Sequence, residues 1–583
     1  MYYPGAKTLT ASLILTNGVT AYAHQETGTL EEIVITGRSQ ILAGEARTAS
    51  EGVVGQMDLA IRPLLRPGDV LESVPGLIVT QHSGSGKSNQ MFLRGFNLDH
   101  GTDFATWIDG MPVNMRTHGH GQGYTDINFL IPETLERLSY VKGPYHANLG
   151  DFSSAGGVHI DTFSQLPKQI TVGAGENGYG RLLAMGTFAL DSINLSAAVE
   201  GQTYDGPWSD INEDVKKING LWKLTGGDEV TSWSTTAMYY DNEWNSADQI
   251  PQRVVTRGLI DELGSIDTTL GGETYRASLS AAFTHEHEDH RTQWQGYIID
   301  YELDLWSNFT YLLDDPDNGD QFQQVDDRTI YGGSYNRFWV GGAKEHFHHN
   351  LGVELRYDDI NTVGLYRTAA RQQIDTVRED SVEQASVGVF YELAWRLTDN
   401  WRTVLGLRGD YYRFDVNAGE PQNAGKDSDF LASPKGSLIY ALSDESEVYA
   451  SAGYGFHSND ARGVTITTDP VSSEPVSKVD ALVQSKGAEV GFKTVWLESW
   501  NASVALWYLE LDSELLFVGD AGTTEPSNGS ERWGLDFNNF WRLNDVWSLE
   551  FDLAWTDAKF TGSTPEGDAI PNSLEWVASG AHV

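Results

Sequence analysis

Three groups of residues in this 583-residue chain have types and spacing that could do chemistry. The first is Gln81-His-Ser-Gly-Ser-Gly-Lys87-Ser88, whose tail matches the end of a phosphate-binding loop. Such a loop needs Gly-x-x-x-x-Gly-Lys-Ser/Thr between a strand and a helix, so that backbone N–H groups can wrap the phosphates. Gln81 stands where the first glycine belongs, and Asn89–Phe96 reads as strand where a helix should follow. The stretch therefore reads as a polar Gly/Ser loop joining two strands, with Lys87 a mobile cation and not a phosphate clamp.

The second group is Asn114-Met-Arg-Thr-His-Gly-His-Gly-Gln-Gly-Tyr124. In extended chain His118 and His120 point to one face, and the glycines let backbone approach a ligand. Arg116 and Tyr124 add charge and an aromatic ring. The third group is His285-Glu-His287-Glu-Asp-His290 together with His346-Phe-His348-His349. Imidazoles bind Zn, Cu, Ni and Fe, and carboxylates support them. These histidines could converge on a metal ion or a metal chelate, or be no more than the composition of polar loops. An anionic ferric chelate would also suit Arg94, Arg116 and Lys87, although Arg94 in its Arg-Gly-Phe setting reads as structural. No nucleophilic triad or carboxylate pair stands out, so nothing marks an enzyme.

Composition narrows the setting for these groups. There is no cysteine, which excludes disulfides, thiolate metal sites and cysteine nucleophiles. A formal charge of −43 argues against nucleic acid as a partner. Abundant Gly, Trp, Tyr and Phe favour strands and turns. Lys7, the apolar stretch Ala11–Thr20 and Ala21-Tyr-Ala23 resemble a secretory signal over 1–23.

From residue 164 to 583 the pattern has period two. In Trp547-Ser-Leu-Glu-Phe-Asp-Leu-Ala-Trp-Thr556 the odd positions are apolar with aromatic ends and the even ones mostly polar. Leu351–Tyr357 and Trp401–Arg408 follow the same rule. Trp395-Arg-Leu-Thr-Asp-Asn-Trp401 and Trp541-Arg-Leu-Asn-Asp-Val-Trp547 repeat one heptapeptide, and Tyr440–Ser446 is a looser copy; each predicts a tight turn. Longer polar connections are expected near 203–215, 241–270, 313–335, 415–430, 454–480 and 517–532. Short turns at one end, long loops at the other and interfacial aromatics describe an outer-membrane barrel. We count about 16 to 18 strands. The sequence stops in a strand-like stretch, which predicts a barrel incomplete at its C-terminus. Residues 45–163 read instead as a small mixed domain, with helices near 69–74 and 132–137.

Several motifs in that domain carry a family resemblance. They are Asp69-Val-Leu71 with Val74-Pro-Gly-Leu77, Leu93-Arg94-Gly95-Phe96, Ile108-Asp109-Gly110-Met-Pro112, Val141-Lys142-Gly143-Pro144 and Gly156-Gly157-Val158. In order and spacing they resemble the plug of a TonB-dependent outer-membrane receptor. The resemblance implies an α+β plug domain inside a large antiparallel transmembrane β-barrel of about 22 strands. Glu32-Ile33-Val34-Ile35-Thr36, within 24–44, resembles the TonB box, a β-branched segment able to add to a partner's sheet edge. The family implies import energised by TonB with ExbB and ExbD, no required cofactor, lipid around the barrel, and a small-molecule or metal-chelate cargo. A ferric siderophore is the first expectation. Zinc or copper held by the histidines is the second, and a passive porin or adhesin barrel the third.

Overall fold

Period-two alternation builds most of the molecule. The computed structural model describes residues 9–14 and 46–582, apart from 342–345, 497–498, 519–522, 545 and 565–566. The TonB-box residues 32–36 lie outside the described residues.

Among the described residues, one antiparallel sheet of 20 strands runs in chain order from Gln169–Ala174 to Trp576–His582, with Leu9–Ile14 added at its first edge. All but Leu9–Ile14 lie from Gln169 onward, which exceeds the expected 16 to 18. The excess comes from strands too short to alternate visibly, such as Gly567–Ala569. The face polarity is inverted relative to a water-soluble protein. Leu405 and Leu407 are 52% and 57% exposed, while Arg408 beside them is 3% exposed. Phe551 likewise faces out and Asp552 in. A sheet with an apolar outside and a polar lumen suits surrounding lipid.

The repeated heptapeptides are equivalent turns. Leu397 N–H donates to Trp401 O and Leu543 N–H to Trp547 O, each at 2.9 Å. The Thr398 hydroxyl and the Asn544 amide oxygen then accept the backbone N–H groups of Trp401 and Trp547. A short side-chain acceptor at this position closes the turn locally. Long connections lie at the opposite end, at 205–214, 246–270, 308–321, 459–481 and 512–529. Two expected loops are corrected. The strand Phe322–Gly341 takes over most of 313–335, and 415–430 shrinks to the six-residue link 419–424. Asp326 and Asp327, read as loop acids, therefore sit in a strand.

The plug domain fills the barrel. Its main sheet runs Glu51–Gly55, Leu135–Lys142, Gly156–Thr162, Phe104–Ile108 and Met111–Pro112, with the third and fourth strands parallel. Ile78–Thr80, Gln90–Leu93 and Phe96–Asn97 make a second small sheet. The helix expected at 69–74 is the 3-10 segment Pro67–Ser73. That expected at 132–137 is one turn, Pro132–Thr134, followed directly by strand. Proline at the start of each favours a turn, but Val74 and Leu135 return to extended backbone. Val70, Leu71, Phe104 and Ile160 share one buried cluster with barrel residues Leu221, Met238 and Trp507, so plug and wall have a common core.

Candidate functional site

The plug motifs are chiefly structural. Arg94 and Gly95 both adopt positive φ (50° and 70°), a left-handed turn that returns the chain from Gln90–Leu93 to Phe96–Asn97. The turn aims the Arg94 guanidinium at the wall. It donates to Asp536 at 2.9 Å, to Glu489 at 3.1 Å and to the Ser50 hydroxyl at 2.8 Å. Lys142 adds a second cation, 2.8 Å from Asp536. All four charged side chains are at most 1% exposed. Asp109 and Gly110 form a tight turn at positive φ, and the Asp109 carboxylate accepts from Thr162 and from wall residue Lys223. Gly143 and Gly156 also have positive φ, and a β-carbon on Gly156 would strike the Val141 carbonyl. Gly157 packs closely against the Ala105 carbonyl.

The remaining candidates meet at the plug apex, beneath the long barrel loops. Lys87 is buried, which corrects its reading as a mobile cation. Trp244 lies so close to Gly86 that a β-carbon would fall within the ring. Ser88 N–H donates to the Tyr124 hydroxyl at 2.9 Å, and Glu213 accepts from Ser85 N–H. Lys87 Nζ finds no hydrogen-bond acceptor among the described residues. Burial holds its pKa down and, with Lys87 beside it, pushes His82 down to about 3.

His118 and His120 are buried and engaged. His118 Nδ1 accepts the His120 backbone N–H at 3.1 Å, leaving Nε2–H to meet the Tyr301 hydroxyl at 3.3 Å. Its ring stacks on Tyr124 at 4.1 Å. His120 Nδ1 meets the Gln324 side-chain amide at 2.7 Å, and its Nε2 lies 3.0 Å from His100 Nε2. His100 passes its Nδ1–H to the Ser88 carbonyl. Both nitrogens of His118 thus have partners inside the protein, whereas His120 and His100 each donate through Nδ1 and turn their Nε2 atoms toward each other as two acceptors. Burial holds all three imidazoles well below the ordinary histidine range, with Lys87 acting on His100 and His120, and Arg328 and Arg462 on His118. The loop after Ser458 closes the apex: Ala461 N–H donates to Thr117, and Arg462 donates to the His118 carbonyl at 2.8 Å.

The other histidines are elsewhere. His285, His287 and His290 surround the short turn 287–289, and His346, His348 and His349 lie at the start of strand Phe347–Ala369. Both groups lie at the end of the barrel away from the apex. His287 and His290 stack face to face at 4.0 Å, and His349 stacks on Trp339 at 4.7 Å. Stacked rings present faces, not lone pairs, to one another. Among the described residues, no group of three or more His, Asp or Glu side chains is arranged to hold a metal ion.

Arg116 occupies a different position. It donates to Asp151 at 3.0 Å, Ser386 at 2.8 Å and Tyr412 at 2.9 Å, bridging plug and wall. Below it lies a cavity of about 700 Å³ between the plug and strands His290–Ser307 through Trp401–Ala418. Trp107, His159, Tyr297, Arg356, Arg408 and Asp410 are among its lining. Sequence reasoning missed this wall, although a signal was present. Arg356-x-Asp358, Arg378-x-Asp380 and Arg408-x-Asp410 repeat at the strand period, and each forms an ion pair facing the lumen. Paired charges two residues apart in a strand share one face.

Comparison with known proteins agrees with this architecture. Residues 219–582 match the family model described as TonB dependent receptor-like, beta-barrel, and residues 43–158 match the TonB-dependent receptor plug domain. The ferric yersiniabactin uptake receptor FyuA of Yersinia pestis is 15% identical with a TM-score of 0.74, covering 91% of this chain and 83% of its own. The ferric citrate transporter FecA in its unliganded form is 15% identical with a TM-score of 0.74, covering 94% and 83%. The copper transporter OprC is 18% identical with a TM-score of 0.71, covering 91% and 84%. With its plug seated by buried ion pairs inside an inverted-polarity sheet, the chain belongs to the TonB-dependent receptor family.

Proposed function

We propose that this protein imports a scarce nutrient, a ferric siderophore or another metal chelate, across the outer membrane by TonB-dependent transport. The observation that carries the proposal is the sealed lumen. The plug fills the barrel, shares its core and joins the wall through buried charge pairs. A domain so held obstructs free diffusion through the lumen, so passage calls for work done on the plug. This disfavours a passive porin. TonB with ExbB and ExbD would supply that work through Glu32–Thr36, and no cofactor or catalytic group is needed. The apolar outer face would contact lipid. The engaged nitrogens of His118 favour a chelate over a bare zinc or copper ion, while the similar structures include both receptors for ferric chelates and a copper transporter.

The test is deletion of residues 31–36 with uptake measured for iron-55 as ferric citrate and as a panel of ferric siderophores. Loss of uptake of whichever chelate the intact chain transports is expected; unchanged uptake would overturn active transport. Calorimetry with the same panel and with zinc and copper assigns the cargo. Tight binding of the bare ions alone would favour the metal reading.

A further inference from the structure

Two plug histidines meet in a way that the rim histidines do not. His100 follows Asp99, which turns the chain at φ 47°, and His120 stands between Gly119 and Gly121 in the apex loop. Folding brings their Nε2 atoms to 3.0 Å. The rings are tilted at 55° with centroids 4.5 Å apart, so their edges converge. His287 and His290, at 11°, lie face to face instead. The proton on each plug imidazole is accounted for at the far side of the ring. His100 Nδ1–H donates to the Ser88 carbonyl at 3.0 Å, an oxygen that can only accept. His120 Nδ1–H donates to the Gln324 amide oxygen at 2.7 Å, on the wall strand Phe322–Gly341. A neutral imidazole carries one proton, so both Nε2 atoms are lone pairs aimed at each other.

Opposed lone pairs at this distance repel, and a cation between them turns the repulsion into two bonds. A proton does not serve near neutral pH, because burial disfavours the imidazolium at both rings. The outer contacts are those of metal-bound histidine, whose second ring nitrogen characteristically donates to a carbonyl or carboxylate. Charge and ligand count select the ion. Asp99 Oδ1 lies 3.6 Å from His100 Nε2, and Lys87 beside the pair is flanked by Asp99 and Asp248. Asp326 and Asp460 nearby have their own arginines, Arg328 and Arg462. Two carboxylates therefore face one ammonium, and one positive charge is lacking. Zinc seeks four ligands and Cu2+ or Ni2+ a square of them, whereas the pair supplies two nitrogens. Cu+ accepts two imidazoles in line. A metal–imidazole bond of about 2 Å sets the nitrogens about 4 Å apart. Small rotations of both side chains supply the difference from 3.0 Å.

We propose that His100 and His120 form a two-coordinate site for one soft monovalent cation, Cu+, resident in the plug apex. The ion clips the turn 98–103 to the loop 114–124 and, through Gln324, to the barrel wall. It is a fixture of the receptor and not its cargo, and it does not rest on the transport reading.

The chain has no cysteine, so no thiolate competes for the ion. Purified full-length protein is titrated with Cu+ under ascorbate, without oxygen, against the chelator bathocuproine disulfonate. One Cu+ per chain should resist the chelator, and X-ray absorption should show two nitrogen neighbours. His100→Gln and His120→Gln should each weaken retention by about a hundredfold, or about 2.8 kcal/mol. The rim variant His285→Gln/His287→Gln/His290→Gln should hold the ion as the unaltered chain does. No retained ion in the unaltered chain, equal retention in His100→Gln, or a spectrum of three or four neighbours would overturn the proposal. If the plug variants fail to fold, the stoichiometry and spectrum of the unaltered chain decide it. Retained Cu+ without binding of any ferric chelate would leave the clip standing and bring down the chelate reading; the reverse result would bring down the clip alone.

Discussion

The plug meets its barrel in two different ways. Against Leu482–Trp496 and Ser530–Arg542 the contact is sealed: Arg94, Lys142, Glu489 and Asp536 are interlocked and dry. Against the wall around Tyr297 and Arg408 a cavity separates the two bodies, and the wall arginines reach the plug only through backbone carbonyls, Arg356 to Asn114 and Arg408 to Asn148. The difference lies in where the partners of the wall charges come from. On the sealed side, wall carboxylates depend on plug cations. On the open side, Arg-x-Asp pairs are complete within one strand, and the plug–wall pair at its margin, Arg47 with Glu392, is partly exposed on the plug side. A domain that must hold still and also move can divide the two tasks between opposite walls.

The sharpest way to break this comparison is to strand the sealing charges. Asp536→Ala leaves Lys142 buried without its paired carboxylate, while Arg94 keeps Glu489, and should lower the plug's resistance to denaturant by about 3–5 kcal/mol. Asp410→Ala on the open side leaves Arg408 its second partner, Glu354 at 2.7 Å, and should cost clearly less. Matching losses would dissolve the distinction. Gly86→Val tests the apex by overpacking: its side chain would enter Trp244, costing about 1–3 kcal/mol in a thermal melt. A milder loss would mean that the loop 81–88 yields.

Acidification probes the same apex. His82, His100, His118 and His120 are held below the ordinary value of 6.5, so their contribution to stability is complete above it and is lost as pH falls. Asp99 and Asp126, pushed up by burial to about 6, act in the opposite sense and regain stability as pH falls through about 6. Glu213 and Asp248 are raised by burial as well, but only His118 and His120 lie within residues 114–124, so the imidazoles set the sign there. Between pH 7 and 5, hydrogen-exchange protection of residues 114–124, corrected for intrinsic rate, should drop about tenfold, or about 1.4 kcal/mol in the free energy of opening. Protection that does not change would mean that the apex tolerates charged histidine. The smallest effect is expected at the rim, where His349→Ala loses a stack on Trp339 and an exposed hydrogen bond to the Tyr391 hydroxyl, and should cost about 1 kcal/mol. A large loss there would give the rim histidines a role that their stacking does not explain.

The barrel was legible because lipid and lumen impose opposite polarity on adjacent residues, as Phe551 and Asp552 display. The turns were legible because Thr398 and Asn544 act within a few residues of themselves. The plug motifs were legible through spacing, and Arg94 has the structural role its Arg-Gly-Phe setting suggests. What the sequence concealed was the occupation of the histidines. Tyr301 and Gln324 lie 183 and 204 residues from their imidazole partners, so no local pattern announces that those nitrogens are taken. Lys87 misled for the same reason, since a Gly/Ser loop looks mobile until Trp244 is folded over it. The cavity wall was only half hidden: the Arg-x-Asp repeats were visible, but their meaning needs the lumen.

One consequence concerns mechanics. Glu51–Gly55, the plug strand nearest the N-terminal tail, is the edge of its sheet and is held to Leu135–Lys142 by five register pairs. A load drawn through the tail meets Thr48 and Ser50 first, and their hydroxyls donate to Glu489 of the seal at 2.6 Å. Only then does it reach the short ladder, whose partner strand ends in Lys142. The tail is thus fastened to the lock itself, and the threshold for a pull is set by rupture rate and not by equilibrium stability.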